Sequence, residues 1–320
     1  TDATVPVQIG LTIHDDLTSN TASQLGALGF EQVVGEINVK SSVKLIENAD
    51  LNISEAKVKG VGDVDDFLKI INSGNGALLD GASTLSNTLA ELSSIKQLIT
   101  IDSDQLDISG ITVAEKNVTP VDFLQIHDRI SFSDDARISG HVNSIEQADA
   151  LITLADIPFD NVLLRHENEN MLIEAEAGTL VNIVQNGIAV YDTNPTVRII
   201  EDGLTVDDAL ILGSARVDLA GYHLLEGGRA NILEALQLTR FEGFDVQGLS
   251  IERGEELQST SIQNVSVLRN AGVVFDTSGT EKLFTIDEGI VGPIQAIDLD
   301  LVGADLSTKR VEVEGGFVPE

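Results

Sequence analysis

The chain lacks cysteine and tryptophan, has one methionine, and carries only 19 basic residues against 52 acidic ones among its 320 residues. The absence of cysteine excludes disulfide bonds and thiol catalysis, although it leaves the redox environment of the protein open. The formal net charge of −33 predicts a surface that repels nucleic acid and anionic membranes. Such a surface suits divalent cations, basic partners or a high-salt setting.

Long hydrophobic runs and catalytic motifs are also missing. No apolar run approaches the roughly 18 residues that cross a bilayer, so we expect no membrane insertion. The sequence has no G-x-S-x-G, no P-loop and no H-E-x-x-H motif, and we expect no enzymatic activity. The histidines show no metal-ligand spacing, and we favour solvated turn residues over a functional pair of His141 and His166 on adjacent repeats. The five histidines of the chain are His14, His127, His141, His166 and His223.

What the chain does contain is a degenerate repeat of about 28 residues, a period typical of stacked-repeat proteins. Its mark is an apolar residue followed by a polar one, usually Asp. The six pairs are Phe132-Ser133, Phe159-Asp160, Tyr191-Asp192, Val217-Asp218, Phe244-Asp245 and Phe275-Asp276. We interpret the apolar member as a core residue after a helix and the Asp as the residue that shapes the next turn. An aromatic ladder for sugar stacking is the alternative.

A second column of residues with the same period predicts where helices begin. Its members are Thr119, Ser144, Thr179, Thr205, Asn231 and Ser261, whose side chains accept hydrogen bonds from the first free N–H groups of a helix. Several have Asp, Glu or Gln three residues later, as in a capping box. Gly187 and Gly272 stand where two of these helices should end.

Alternating short helices and strands predict an α/β solenoid with a parallel sheet and a period of about 28 residues. We expect degenerate repeats over 1–114, regular repeats over 115–290 and a β-rich C-terminal end piece over 291–320, because 296–302 and 311–314 alternate apolar and acidic residues. In the first part, helices are predicted at 21–28, 64–71 and 85–92, and strands at 36–39, 51–53, 99–101 and 106–108.

Acidic residues recur in the turns before successive helices and suggest calcium. The row comprises Asp134, Asp135, Glu174, Glu176, Glu201, Asp202, Glu226, Glu255, Glu256, Asp287 and Glu288. Stacked like charges are costly unless they are solvated or neutralised, and Ca²⁺ accepts irregular cages of oxygen ligands. We therefore predict calcium ligands at Asp134, Asp135, Glu201 and Asp202, with a second candidate at Asp102, Asp104 and Asp107. The alternative is that these acids only complement helix dipoles.

The unit from Ser261 to Asp276, the acidity and the missing cysteine resemble the repeat regions of large secreted bacterial surface proteins, including type I secretion substrates. The resemblance covers about residues 115–287 and implies surface-layer or adhesin segments. The nonapeptides of calcium β-rolls and the signature of leucine-rich repeats are absent, and no functional residues carry over. Because the chain begins at Thr1 without Met, we expect an internal piece of a longer protein.

These observations favour a non-enzymatic, extracellular structural or adhesive segment that calcium stabilises. Open repeat ends and sheet edges favour self-association with other copies, and surface polysaccharide is a further candidate partner. The alternatives are a carbohydrate-binding or polysaccharide-processing solenoid and an acidic binding scaffold from a halophile.

Overall fold

The structure, a computed structural model, describes residues 10–30, 32–49, 51–73, 78–79, 83–86, 89–101, 105–166, 172–190 and 197–311. Within these ranges the chain folds as a mixed α/β protein with short helices and short parallel strands. No helix in the described ranges is long and apolar enough to cross a membrane.

The helices recur along the whole described chain. They are α1 (Ser19–Ala27), α2 (Val39–Ala49), α3 (Val64–Asn72), α4 (Leu92–Leu98), α5 (Pro120–Ile126), α6 (Ile145–Leu154), α7 (Ala177–Gln185), α8 (Val206–Ser214), α9 (Ile232–Leu238), α10 (Ile262–Asn270) and α11 (Pro293–Leu301).

Most strands have only two or three residues. They are β1 (Gly10–Leu11), β2 (Gln32–Asn38), β3 (Asn52–Lys59), β4 (Val61–Gly62), β5 (Leu78–Leu79), β6 (Ser83–Leu85), β7 (Leu89–Ala90), β8 (Leu106–Asp107), β9 (Thr112–Val113), β10 (Asn117–Val118), β11 (Ser131–Phe132), β12 (Arg137–Val142), β13 (Phe159–Leu164), β14 (Ile173–Ala175), β15 (Ala189–Val190), β16 (Val197–Ile199), β17 (Gly203–Leu204), β18 (His223–Leu224), β19 (Arg229–Ala230), β20 (Ser250–Ile251), β21 (Ser259–Thr260), β22 (Val274–Phe275), β23 (Phe284–Ile286), β24 (Ile290–Val291), β25 (Ala304–Asp305) and β26 (Arg310–Val311).

The chain forms two compact units, one of residues 1–140 and 153–160 and the other of residues 141–152 and 161–320. In the first unit the strands pair in the orders β1-β2-β3-β5, β4-β6-β8, β7-β9-β11 and β10-β12. In the second the orders are β13-β15, β14-β16, β17-β18, β19-β20-β22, β21-β23-β25 and β24-β26. In each unit a strand therefore pairs in parallel with one that follows the next helix, as a repeated β–α–β connection requires.

From α3 to α5, strand pairing and helix starts have different spacings. The paired residues Val61, Thr84 and Asp107 are 23 residues apart, whereas α3, α4 and α5 begin 28 residues apart. Paired strands lie about 4.8 Å apart, but packed helix axes need about 8–10 Å. Paired strands thus lie closer together than packed helices can, and from α3 to α5 the two spacings differ by five residues.

Helix starts follow the predicted caps in five of six places. Thr119, Ser144, Thr205, Asn231 and Ser261 each accept the N–H of the residue three positions later. The prediction for Thr179 is wrong, because α7 already begins at Ala177. The predicted helix ends at Gly187 and Gly272 are confirmed, because these glycines have positive φ angles of 90° and 80° just after α7 and α10.

The buried side chains come mainly from the apolar stripes of the helices and from alternate strand residues. Phe67, Phe123 and Phe284 are the largest fully buried side chains, each with no exposed surface. Apart from these and Phe244, the buried apolar residues are Leu, Ile, Val and Ala, which suits short elements that must approach each other closely.

The C-terminal prediction is wrong over 296–302, because this segment lies in helix α11 and its loop instead of a strand. Pro293 at the first helical position and Gln295, whose Oε1 accepts the N–H of Gly292 at 3.0 Å, begin the helix. Leu299 packs inside. Residues 312–314 of the other predicted end strand lie outside the described residues.

The predictions for the first hundred residues are mixed. Helices α1 and α3 and strands β2, β3 and β8 lie close to their predicted places. The strand predicted at 99–101 is instead the turn that follows α4. The described part of 85–92, predicted as a helix, contains the last residue of β6, strand β7 and only the first residue of α4. Helix α2 was not predicted.

Candidate functional site

Two of the predicted calcium ligands lie in the turn before β12. The Asp135 carboxylate forms an ion pair with Lys116 at 2.5 Å. It also accepts a hydrogen bond from the hydroxyl of Ser133 at 2.9 Å. Hydrogen bonds from Lys116 and then Ser133 hold the pKa of the Asp135 carboxyl below its usual value. Asp134 is exposed, and its backbone carbonyl accepts the guanidinium of Arg137 at 3.2 Å.

The second predicted cluster is described only at Asp107, because Asp102 and Asp104 lie outside the described residues. The Asp107 Oδ1 accepts the backbone N–H of Ser109 at 2.9 Å and so closes a turn. Hydrogen bonds from the backbone and then the hydroxyl of Ser109 lower the pKa of this carboxyl.

Glu201 has a specific structural partner in the preceding repeat. Its two carboxylate oxygens accept the backbone N–H of Ala177 at 3.2 and 3.0 Å across 24 residues of sequence. Ala177 is the first residue of α7. The neighbouring Asp202 is exposed to solvent. Glu201 thus completes the start of a helix that belongs to the previous repeat.

The same arrangement occurs at two other places. Glu115 accepts the N–H of Leu92, the first residue of α4, at 2.7 and 2.9 Å. Glu288 accepts the N–H of Ile262, the first residue of α10, at 3.2 and 3.3 Å. We call these three bonds the cross-repeat caps.

Physical chemistry explains why a carboxylate occupies this position. The first N–H groups of a helix lack partners within the helix, and the helix dipole favours negative charge there. The residues before α4 and α7 are Glu91 and Glu176, whose side chains make no capping hydrogen bond. For these two helices the cap therefore comes from the next repeat.

Helix α5 provides the internal comparison. It begins with Pro120, which has no N–H to cap. At the corresponding place in the next repeat, four residues before the cap Ser144, the chain has Gly140 instead of Glu. A Cβ on Gly140 would lie 3.7 Å from the Cδ of Pro120, so the position faces the start of α5 as Glu201 faces the start of α7.

From the sequence, Glu201 is predicted as a metal ligand, and the cross-repeat caps are not predicted. One sequence signal identifies the cross-repeat caps. A Glu lies four residues before the N-cap residue of the next helix. Glu115 precedes Thr119, Glu201 precedes Thr205, and Glu288 precedes Gly292 with this spacing.

The prediction that Asp residues of the apolar–Asp pairs shape the next turn is confirmed at three of these pairs. Asp218, Asp245 and Asp276 accept the backbone N–H two residues later at 2.9, 2.8 and 3.1 Å. Asp305 does the same with Ser307 at 2.9 Å. The hydroxyl and then the backbone N–H of Ser278 lower the pKa of the Asp276 carboxyl.

The apolar members of the column are buried to different extents. Val217 and Phe244 are buried, whereas Phe132, Phe159 and Phe275 are half-buried. The rings of Phe132 and Phe275 contact other phenylalanines, with centroid distances of 5.2 Å to Phe123 and 5.9 Å to Phe284. Tyr191 and Asp192 lie outside the described residues.

The described surface has shallow depressions. One of about 420 Å³ lies between the ends of α7 and α8 and is lined by Val184, Gly187, Ser214 and Arg216, among others. Another of about 360 Å³ lies at the start of α8, lined by residues that include Asp207 and Glu226. Neither brings together a nucleophile, a base and an oxyanion site of the kind that hydrolases need.

The histidines and acids of the described ranges do not form a group of three that could hold a metal ion. His127 stacks on Phe123 with a centroid distance of 5.3 Å, and its Nδ1 lies 3.2 Å from the Leu124 carbonyl oxygen. His141 lies in β12, and His166 lies two residues after the end of β13. The contacts that the carboxylates described above make are those of helix capping and turn formation.

Comparison with known proteins adds no family. The chain matches no protein-family model and no curated protein sequence.

Proposed function

We propose that the chain is a structural segment built as an α/β solenoid, in an extracellular bacterial surface or matrix protein, with no catalytic role of its own. The observation that carries this proposal is the set of cross-repeat caps. Through them Glu115, Glu201 and Glu288 each complete a helix of the preceding repeat. A side chain used in this way serves the continuity of an array.

The pairing pattern supports the solenoid. In each unit, parallel strands separated by one helix pair with each other. Units that contact mainly their sequence neighbours are typical of repeat proteins, whose role is usually to present or span a long surface. The 23- and 28-residue spacings from α3 to α5 suit a stack in which helices fan out beside the strands.

The acidity supports an environment with abundant cations. Calcium remains our proposed stabiliser, with Asp134, Asp135 and Asp202 as the exposed predicted ligands of the acidic row. Asp107, Asp135 and Glu201 already accept hydrogen bonds within the chain, so a bound ion would have to share their oxygens. Other copies of the chain and surface polysaccharide are the proposed partners.

Protease treatment of intact cells of the source bacterium tests the proposed role. We expect mass spectrometry of the supernatant to find peptides of this chain while a cytoplasmic marker stays in the cells. Peptides that appear only after lysis would overturn the extracellular role and favour the acidic scaffold. Release of the chain by a polysaccharide-degrading enzyme would favour the carbohydrate-binding alternative.

A further inference from the structure

The sequence contains two Asn-Gly dipeptides, Asn75-Gly76 and Asn186-Gly187. The first lies outside the described residues, and the second follows α7 directly. In such a dipeptide the backbone nitrogen of the glycine can attack the Cγ carbon of the asparagine, because glycine has no side chain that hinders the approach. Asn186-Gly187 is therefore a candidate for spontaneous deamidation.

The helix end requires the glycine of this dipeptide but not the asparagine. Gly187 has a left-handed φ of 90° and follows Asn186, the C-cap of α7. Three other helices end with a left-handed glycine at the same place, and the residue before it carries no amide side chain. These dipeptides are Leu28-Gly29 after α1, Ala271-Gly272 after α10 and Val302-Gly303 after α11.

Solvent reaches both residues of the dipeptide. Asn186 and Gly187 are exposed, and Gly187 lines the depression of about 420 Å³ between the ends of α7 and α8. The Nδ2 of Asn186 donates to the backbone carbonyl and to the Oδ1 of Asn182 at 2.8 and 3.1 Å. The reactive amide therefore lies on the surface, where water is available for the hydrolysis that completes deamidation.

The folded backbone holds the two reacting atoms apart. A succinimide ring closes only when the Gly187 nitrogen is nearly eclipsed with the Cβ of Asn186 about the Cα–C bond. The ψ angle of Asn186 is 8°, which eclipses the Gly187 nitrogen with the backbone nitrogen of Asn186 instead. In addition, the N–H groups of Gly187 and Ile188 donate to the carbonyls of Val184 and Ile183 at 3.0 and 3.2 Å. Ring closure therefore requires the last turn of α7 to open.

We propose that Asn186 is a site of spontaneous deamidation that is gated by opening of the last turn of α7. The Gly187 nitrogen attacks Cγ and gives up its proton, and the side-chain nitrogen leaves with that proton as ammonia. Water then adds to either carbonyl of the succinimide and yields aspartate or isoaspartate, so that no oxidant or reductant is needed. This inference goes beyond the proposed structural function and does not depend on it.

Either product weakens the end of α7. It places a negative charge at the C-terminal end of the helix dipole, where negative charge is unfavourable, and the last turn of α7 has no basic residue that could neutralise it. It also loses the amide that donates to Asn182. Isoaspartate adds one more carbon to the backbone between the helix and Gly187. Deamidation is therefore an irreversible switch that loosens α7 as the protein ages.

Peptide mapping by mass spectrometry tests the proposal on the full chain during incubation at pH 7.4 and 37 °C. Fragmentation distinguishes isoaspartate from aspartate at position 186, and the same chain in guanidinium chloride gives the ungated rate. Glu201→Ala removes the cap of α7, Gly178→Ala strengthens the helix in open space, and Asp202→Ala is the matched control. Circular dichroism checks that every variant folds.

We expect deamidation in the folded chain to be at least about tenfold slower than in guanidinium chloride, because the open helix end is a minority state. A helix of 9 residues is marginal alone, so a change at its start also affects its end. Glu201→Ala should therefore raise the rate at least about threefold, and Gly178→Ala should lower it about twofold. Asp202→Ala should leave the rate unchanged.

Equal rates in the folded chain and in guanidinium chloride would overturn the gating. Rates in Glu201→Ala and Gly178→Ala that both match the native rate would also overturn it, because opening of α7 would then not control the reaction. No deamidation at Asn186 in guanidinium chloride would overturn the site itself. If Glu201→Ala does not fold, Gly178→Ala still decides between gated and ungated deamidation.

Discussion

The carboxylate of Glu201 caps the backbone N–H of Ala177, 24 residues earlier, with oxygen–nitrogen distances of 3.2 and 3.0 Å. A local sequence feature thus stabilises a helix in the preceding repeat. Helix α7 has no side-chain cap of its own, so its first turn depends on the next repeat.

Replacing Glu201 by Ala should lower the free energy of unfolding by about 1–2 kcal/mol, because a helix start loses a charge-assisted cap. Chemical denaturation followed by circular dichroism measures this change. The matched control is Asp202→Ala, which removes the same charge from the adjacent exposed residue and should change stability by less than about 0.5 kcal/mol. Equal losses in both variants would point to net charge as the cause.

A double-mutant cycle isolates the cap. Ala177→Pro removes the N–H that Glu201 accepts, and proline is well tolerated at the first helical position. The chain itself uses Pro120 and Pro293 there. In the Ala177→Pro background, Glu201→Ala should have little effect on the denaturation midpoint. An undiminished effect would show that Glu201 stabilises the fold in another way.

Two helical glycines should respond to alanine in opposite directions. Gly213→Ala should destabilise by about 1–3 kcal/mol, because the new methyl would overlap the ring of Phe241. Gly178→Ala has open space around its Cβ and should stabilise α7 by about 0.5–1 kcal/mol. Denaturant melts measure both. Stabilisation by Gly213→Ala would contradict the close contact between α8 and α9.

The turn acids make stability depend on pH. The pKa of the Asp276 carboxyl lies below its usual value because Ser278 donates to it, so this group stabilises the fold above its unfolded pKa. That contribution disappears as the pH falls through the folded pKa. Asp276→Asn keeps a turn-forming acceptor but cannot titrate.

The difference in unfolding free energy between the native chain and Asp276→Asn should therefore shrink as the pH falls from about 6 to 3. Denaturant melts over this pH range measure the difference. A gap that widens towards low pH would show that the bond from Ser278 does not stabilise the ionised form.

Local signals made much of the fold predictable. Thr205, Asn231 and Ser261 begin helices because their side chains bond to N–H groups three residues away, a range that the sequence reveals directly. The Asp turns are equally local. The predicted start of helix α7 is three residues late because Thr179 has the residue type of a cap, while the actual cap comes from Glu201 in the next repeat.

A helix-start signal explains one segment that the sequence misassigned. Ile297, Leu299 and Leu301 alternate with acids, a pattern typical of a strand, yet Pro293 and Gln295 begin a helix that contains all three. Only Leu299 of the three is buried. At the candidate site, the acidic row was recognised from the sequence, but the partner of Glu201 depends on how adjacent turns stack.

Calcium binding has a direct test in thermal unfolding. With about 1–10 mM calcium, the range of weak extracellular sites, the melting temperature should rise above that in chelator, because an ion that binds only the folded chain stabilises it. Equal concentrations of magnesium are the control. Stabilisation by molar potassium chloride alone, without a calcium effect, would favour salt adaptation.

The central claim is that neighbouring repeats stabilise one another along an array, and hydrogen exchange of Glu201→Ala tests it most directly. A repeat array transmits a local loss of stability mainly to adjacent repeats. We predict faster amide exchange in α7 and α8, with α3 in the first unit and α10 in the second unchanged. A uniform increase in exchange through both units, or an increase confined to the turn at Glu201, would contradict the account.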